Sequence, residues 1–394
     1  MSFLVAAALV GGGLLTSALA LAATVVFVLK LEQPRSHKTA VATVILPVTG
    51  RAPHLERLFA ALSRQTLPPR RLLVAIESEQ DPAFDRARAA LRSSPLAGEI
   101  VLTGAAQSTA QKCWNQMLAL RHIDEHDEVV VLLDADILPQ AWWLSALVSP
   151  LVDDVCDVVT GYRWIVLERP SLSAHLLAHI DRAIALLPRS PFTYTLWGGT
   201  LALSRRAIDT LDLPAILAST LADDCSLGEA AAARGLRILT RRALLVPSPI
   251  EIGLTQAWRF GRRQYQIGHL YLPRLYGLAL AAILGRLVAW GVIICSLMGD
   301  RYGWAGAAAA LLVALALASY AGQQIVARRL GMEDAWPQAL GQLGLAAAKP
   351  AVDLFHLSML LGALYDRRMR WGHVVYRIDG PHRITVEKRL PWPS

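Results

Sequence analysis

Val129-Val130-Val131-Leu132-Leu133-Asp134-Ala135-Asp136 is the stretch on which the fold turns. Its five leading residues are all apolar and the first three are β-branched, which predicts a strand covered on both faces in a mostly parallel sheet. The run ends directly in two acids, so their carboxylates stand at the carboxyl edge of the sheet, where such sheets bind ligands. Hard cations such as Mg2+ or Mn2+ take oxygen ligands and bridge to phosphates, which makes Asp134 and Asp136 the candidate metal ligands. An Asp-x-Asp alone also fits a capped turn after a strand, and the flanking segments decide between the two.

Upstream, apolar β-rich runs at residues 41–48, 72–76 and 100–102 alternate with helical patterns at about residues 53–64, 82–92 and 109–122. This βαβ series predicts an α/β, Rossmann-like sheet. Downstream, Trp197-Gly198-Gly199-Thr200 precedes a short strand, Leu201-Ala202-Leu203, and its glycines allow backbone to approach a sugar or an acceptor closely. Leu221-Ala222-Asp223-Asp224 then opens a helical stretch. Two adjacent carboxylates repel, which keeps one basic enough to take a proton from a hydroxyl; helix N-capping is the other reading of the pair. In Gln256-Ala257-Trp258-Arg259-Phe260-Gly261-Arg262-Arg263-Gln264-Tyr265-Gln266 the arginines fall at i, i+3 and i+4. Arg259, Arg262 and Arg263 would then share a helix face, fit to clamp a diphosphate or to lie on lipid head groups.

The chain has 394 residues, of which 54% are hydrophobic, and a mean hydropathy of +0.39, more apolar than a soluble protein needs. Residues 3–29 and 303–327 carry no charge and residues 275–298 carry only Arg286, so each can cross a hydrocarbon core of roughly 30 Å. The first segment is too long for a signal peptide and has its basic residues, Lys30, Arg35 and Lys38, after it. Positive flanks stay in the cytoplasm, which places the polar domain there. A fourth apolar stretch, 340–364, contains Lys349, Pro350, Asp353 and His356 and reads as interfacial or re-entrant. The net charge of +8 suits a protein held against anionic lipid, and no nucleic-acid module is present. Cys113, Cys156, Cys225 and Cys295 have no paired spacing, which agrees with a reducing compartment and argues against a zinc site. His175 and His179 lack a third ligand and read as part of an amphipathic helix.

The motifs together resemble the family-two glycosyltransferases of GT-A fold, and more closely the ceramide glucosyltransferase-like branch, over about residues 40–270 plus the membrane hairpin and basic tail. The resemblance implies that Asp134 and Asp136 bind the metal, with Asp134 also near the nucleotide sugar, and that Asp224 is the general base beside Asp223. Glu77-Ser78-Glu79-Gln80-Asp81-Pro82-Ala83 is similar to the branch's first acidic motif, with Ser78 in place of an aspartate, so Glu77 and Glu79 become the uridine contacts. Gln111-Lys112-Cys113-Trp114-Asn115 resembles a stretch whose lysine faces the phosphates. The closing motif keeps Arg259, Arg262 and Arg263 but lacks its tryptophan, and Gln264-Tyr265 supply the aromatic one turn on. Trp197, Gly198 and Gly199 fall on the acceptor or sugar side.

The organisation expected is an N-terminal transmembrane anchor (1–37), a cytosolic GT-A catalytic domain (38–250), an interfacial helix with the arginine motif (251–274), a transmembrane hairpin (275–329) and an interfacial or re-entrant helix with a basic cytosolic tail (330–394). The resemblance implies inverting, metal-dependent transfer of a sugar from a UDP-sugar, UDP-glucose first, to a ceramide-like or diacylglycerol-like hydroxyl, in an integral protein of a bacterial inner membrane. A processive polysaccharide synthase and a catalytically inactive transport or scaffold protein are the alternatives. The sequence carries nothing on oligomeric state.

Overall fold

The computed structural model describes residues 2–33, 38–189, 194–299 and 302–392. Arg35, one of the basic residues after the first segment, lies outside them. In chain order the elements are α1 (Phe3–Leu29), β1 (Ala42–Val48), α2 (Leu55–Ser63), β2 (Arg71–Ile76), α3 (Ala83–Ser93), β3 (Gly98–Leu102), α4 (Gln111–Ala119), β4 (Val129–Leu133), α5 (Trp143–Val152) and β5 (Val158–Leu167). Next come α6 (Leu172–Ala185), β6 (Thr200–Ser204), α7 (Arg205–Thr210), α8 (Leu213–Leu217), α9 (Asp223–Ala233), β7 (Ile238–Ile250) and α10 (Leu254–Tyr271). The chain continues through α11 (Pro273–Met298), α12 (Tyr302–Leu330), α13 (Trp336–Ala347), α14 (Lys349–Gly362), β8 (Arg368–Trp371), β9 (Val374–Gly380) and β10 (Arg383–Arg389). They divide into two compact units, each assembled from separate stretches of chain.

The sheet unit comprises Glu32–Arg163, Arg189–Pro249 and Arg367–Ser394. Its seven strands run in the order β3-β2-β1-β4-β6-β5-β7. β1 pairs in parallel with β2 and β4, and β2 with β3. β6 is antiparallel to both β4 and β5. This mixed α/β sheet, parallel in its first half with an antiparallel insertion, is the arrangement expected of the GT-A class. The uninterrupted apolar strands are explained by burial on both faces: Val44, Leu46, Leu72, Val74, Val131 and Leu133 are fully enclosed in the core. Each such side chain contributes about 1.5–3 kcal/mol over leaving it in water. Parallel strands joined by α2 and α3 bring every carboxyl end to the same edge, so Glu77, after β2, and Asp134, after β4, share it.

Residues 368–389, for which the sequence reading has only a basic tail, form a separate antiparallel meander, β10-β9-β8. The turn between β9 and β10 follows from Asp379-Gly380-Pro381 between alternating apolar residues.

The helical unit comprises Met1–Leu31, Trp164–Pro188 and Ile250–Asp366. Phe3–Leu29, Pro273–Met298 and Tyr302–Leu330 are long and apolar enough to cross a membrane. α13 and α14 form a pair bent by 84°, at a break where Ala348 leads into Lys349-Pro350. Proline cannot continue the hydrogen-bond ladder of α13. The outward faces carry Leu4, Leu15, Leu19, Leu278, Ile294 and Leu311, all exposed, as lipid contact requires. Within the unit Arg286 binds Asp353 through Nε and Nη2 at 2.8 and 3.0 Å. Lys349 Nζ adds a third contact to the same carboxylate at 2.9 Å. An arginine in an apolar helix needs such a partner, and the fully enclosed Asp353 supplies it.

Candidate functional site

The site in the sheet unit is built where β4 ends and α9 begins. Asp134 follows the last residue of β4, and its amide donates to the Gly199 carbonyl at 3.2 Å. That bond ties the end of β4 to the turn before β6. Asp136, two residues on, is exposed, and its carbonyl accepts from Ser248 Oγ at 3.1 Å. Asp223 and Asp224 are the first two residues of α9, whose N-cap, Ala222, makes no side-chain cap. Their negative charges sit at the positive end of the helix dipole.

Lys112, on α4, joins the two halves. Its Nζ lies 2.8 Å from Asp134 Oδ1 and 3.2 Å from Asp223 Oδ2. Gln116, one turn along the same helix, donates to Asp223 Oδ2 at 2.8 Å. Asp223 is thus enclosed and held by two side chains of α4. Asp224 is more open: it accepts the backbone amides of Gly198 at 3.2 Å and Cys225 at 2.8 Å, and the Cys225 thiol bonds to it as well. Both glycines are required for this packing. A Cβ on Gly198 would come within 2.5 Å of Asp223 Oδ2, and one on Gly199 would collide with the Trp197 ring.

The electrostatics follow from one cation among four carboxylates. Burial pushes the Asp134 carboxyl above its ordinary range, with Asp136 and Asp223 adding to the shift and Lys112 opposing it. Asp224 is raised too, first by burial and then by Asp223, against Lys112 and its two amide donors. The Lys112 ammonium is held well above its ordinary value: Asp134, Asp223 and Asp224 outweigh the cost of its burial. The cluster is short of positive charge. Among the described residues no group of three or more His, Cys, Asp or Glu is arranged to hold a metal ion. Asp134 and Asp136 are nonetheless the donor set that Mg2+ or Mn2+ uses when phosphate oxygens and water complete the shell, and the charge deficit fits such a cation.

Of the other expected residues, Glu77 directly follows β2 in a buried position, while Glu79 is exposed. Arg389 Nη1 binds Glu77 Oε1 at 2.5 Å and His373 Nε2 lies 3.0 Å from Oε2. Asp81, in the same motif, accepts from Thr49 Oγ1 at 2.9 Å and from the amides of Gly50 and Ala83 at 2.7 and 2.9 Å. It shapes the turn after β1. Trp197 is buried against the Tyr162 ring at 5.5 Å, and its amide donates to Thr160 Oγ1 at 3.0 Å.

Arg259, Arg262, Arg263, Gln264 and Tyr265 lie on α10, in the helical unit. There Arg262 Nε donates to the Gly362 carbonyl at 2.8 Å, and Tyr265 Oη hydrogen-bonds His356 Nε2. Arg263 stacks over Phe260 at 5.2 Å, and Arg259 is exposed. Arg262 and Tyr265 therefore face α14, and the three arginines do not act as one row. His175 and His179 share Gln342 between them, at 3.1 and 3.2 Å.

Sequence reading missed Gln116, His373, Tyr376 and Arg389. Gln116 is one helical turn from Lys112 and so was within reach of a spacing argument. The other three lie in the tail, far along the chain from the motifs they touch.

No curated protein matches the chain. Among solved structures, a mannosyltransferase from Pyrobaculum calidifontis in complex with GDP-Man and Mn2+ is similar at 19% identity and a TM-score of 0.48, covering 91% of this chain and 99% of that one. Glucosyl-3-phosphoglycerate synthase from Mycobacterium tuberculosis, in complex with Mn2+, UDP and glucosyl-3-phosphoglycerate, is similar at 16% identity and a TM-score of 0.36, covering 57% of this chain and 81% of that one. The description Glycosyl transferase family 21 fits residues 4–384, nearly the whole length, and the chain belongs to that family of glycosyltransferases.

Proposed function

We propose that the protein transfers a sugar, glucose first among the candidates, from a UDP-sugar to the hydroxyl of a ceramide-like or diacylglycerol-like membrane lipid, with inversion, at the cytosolic face of a bacterial inner membrane. The observation that carries this reading is the Asp134–Lys112–Asp223 bridge at the carboxyl edge of the sheet, with Asp136 and Asp224 beside it. Asp134 and Asp136 would hold Mg2+ or Mn2+, which supplies charge neutralisation to the departing diphosphate.

Asp224 is the base. Its carboxylate is the more open of the pair and is raised toward the range where it takes a proton. The proton of the lipid hydroxyl passes to Asp224, the oxygen forms its bond to the anomeric carbon, and the bond from that carbon to the diphosphate breaks on the opposite face. Lys112 turns from Asp134 toward the diphosphate oxygens as charge develops there. Asp223 holds Lys112 and Gln116 in place, and Trp197, Gly198 and Gly199 form the wall against the sugar. Glu77 and Glu79 lie on the nucleoside side. The three crossing helices keep the lipid acceptor in its leaflet, since extracting its acyl chains costs about 0.8 kcal/mol per methylene.

The test is to supply purified enzyme and Mn2+ with labelled UDP-sugars and defined lipids. Label in a single glycolipid, with stoichiometric UDP release, is expected. Label only in a growing water-soluble polymer overturns the lipid reading.

A further inference from the structure

The meander β8–β10 reaches the catalytic edge through a few buried contacts. Arg389, the last residue of β10, makes four polar contacts with one region. Its Nη1 binds Glu77 Oε1 at 2.5 Å and lies 3.2 Å from His373 Nε2. Its Nη2 donates to the Ala106 carbonyl at 2.8 Å and to Gln111 Oε1 at 2.9 Å. Gln111 begins α4, and Ala110, its N-cap, makes no side-chain cap. The first amide of the helix instead donates to Tyr376 Oη of β9 at 2.9 Å. Tyr376 is 1% exposed. A third tie runs from the Val386 amide to the Gln107 carbonyl at 3.1 Å.

Gln111 is also where the loop before α4 is fixed. Its Nε2 donates to the Gly104 carbonyl at 2.9 Å and to Asn115 Oδ1 at 2.8 Å, and its Oε1 accepts the Ala106 amide at 2.9 Å. The next residue is Lys112. A guanidinium is suited to this junction because its planar fork spreads donors on separate nitrogens toward a carboxylate, a carbonyl and an amide oxygen, whereas an ammonium concentrates its three donors at one point.

We propose that the C-terminal meander is part of the donor site, with Arg389 and Tyr376 as positioning residues. Together they fix Glu77 and the amino end of α4, so that Lys112 meets the diphosphate of a nucleoside-diphosphate donor at the correct depth. This rests on the function proposed above. Neither side chain touches the reacting atoms. Their effect falls on donor binding, because the end of α4 and the end of β2 can shift relative to each other once the fork is removed.

The experiment is to titrate the full-length wild type, Arg389→Ala, Arg389→Lys and Tyr376→Phe with UDP in the presence of Mn2+, and to measure KM and kcat for the sugar nucleotide alongside. Hydrogen exchange of the α4 amides and thermal unfolding are recorded on the same samples. Arg389→Ala is expected to weaken UDP binding and raise donor KM by about tenfold or more, with kcat changed by less. Faster exchange confined to the start of α4 should accompany it. Arg389→Lys should recover part of the loss, and Tyr376→Phe should give the same pattern at smaller size. Unchanged KM and unchanged α4 exchange overturn the proposal, as does tighter UDP binding in Arg389→Ala, which would make the meander a plug. Should the wild type bind no UDP, the functional reading falls, and the exchange data still decide whether Arg389 orders α4.

Discussion

Two buried charge clusters, one in each unit, are built from the same parts in opposite proportion. In the sheet unit Lys112 stands between Asp134 and Asp223, with Asp136 and Asp224 close by. In the helical unit Asp353 stands between Arg286 and Lys349. The second cluster is geometrically complete: the enclosed carboxylate receives two contacts from a guanidinium and one from an ammonium. The first has one cation to share among several carboxylates, which is why burial raises Asp134 and Asp224 without full compensation. A satisfied cluster ties helices together, whereas an under-neutralised one attracts a cation and a ligand.

The sharpest way to break this contrast is to remove chemistry from one cluster and stability from the other. Asp224→Asn should lower kcat by roughly two to four orders of magnitude while UDP binding in Mn2+ stays measurable. Retained turnover would move the base, with Asp223 the first suspect. Asp353→Ala leaves two cations enclosed without their anion and should cost roughly 3–5 kcal/mol, read as a lowered unfolding midpoint in detergent. Replacing Arg286, Asp353 and Lys349 together by Met and Leu should restore much of that loss. If the triple variant is as unstable as the single one, the cluster has a role beyond tying the helices.

Asp136→Ala is expected to weaken Mn2+-dependent UDP binding at least as much as the roughly 10- to 100-fold that outer-shell changes cost at metal sites. The unfolding temperature should be unchanged, because Asp136 is exposed. Equal UDP binding with chelator and with Mn2+ would leave the two carboxylates without their assigned role.

The smallest effect is in pH dependence. Asp224 must be ionised to act and is raised above 3.8, so kcat/KM should fall on acidification while the pH is still above that value. Asp124 behaves oppositely. Its exposed carboxylate, bonded by Arg70, is pulled down to about 2, so its contribution to folding is present above 3.8 and lost as pH falls toward 2. A rate profile whose acid limb coincides with acid unfolding would show that Asp224 does not control it.

The sheet was legible because apolar strands such as Val129–Leu133 carry a pattern that only a doubly covered strand explains. The two acidic motifs were legible because they sit directly after a strand or at a helix start. The glycines at 198 and 199 were legible as places of close approach to a sugar or acceptor; what the structure packs against them is the chain's own Asp223 and Trp197 ring, which the sequence does not show. The tail was legible only as a basic cytosolic tail, since charge is visible in a sequence and a long-range pairing is not. The apolar, β-branched run Val374-Val375-Tyr376 and the Asp379-Gly380 turn are the signals of strands that the sequence offers there. Arg286 presented a similar difficulty. The sequence shows a lone charge in an apolar segment, and its partner Asp353 lies in a stretch with no register relation to it.

The meander also bears on biosynthesis. Glu77 and Gln111 leave the ribosome early, yet the side chains that bind them, Arg389 and Tyr376, follow α11 through α14 in the chain. At about 5–20 residues per second, the interval between the end of β7 and β10 lasts on the order of ten seconds. During that time the second and third of the long apolar helices are made, while the Glu77 edge has an acid without its arginine. The long apolar helices therefore leave the ribosome before the last edge of the sheet unit can be sealed.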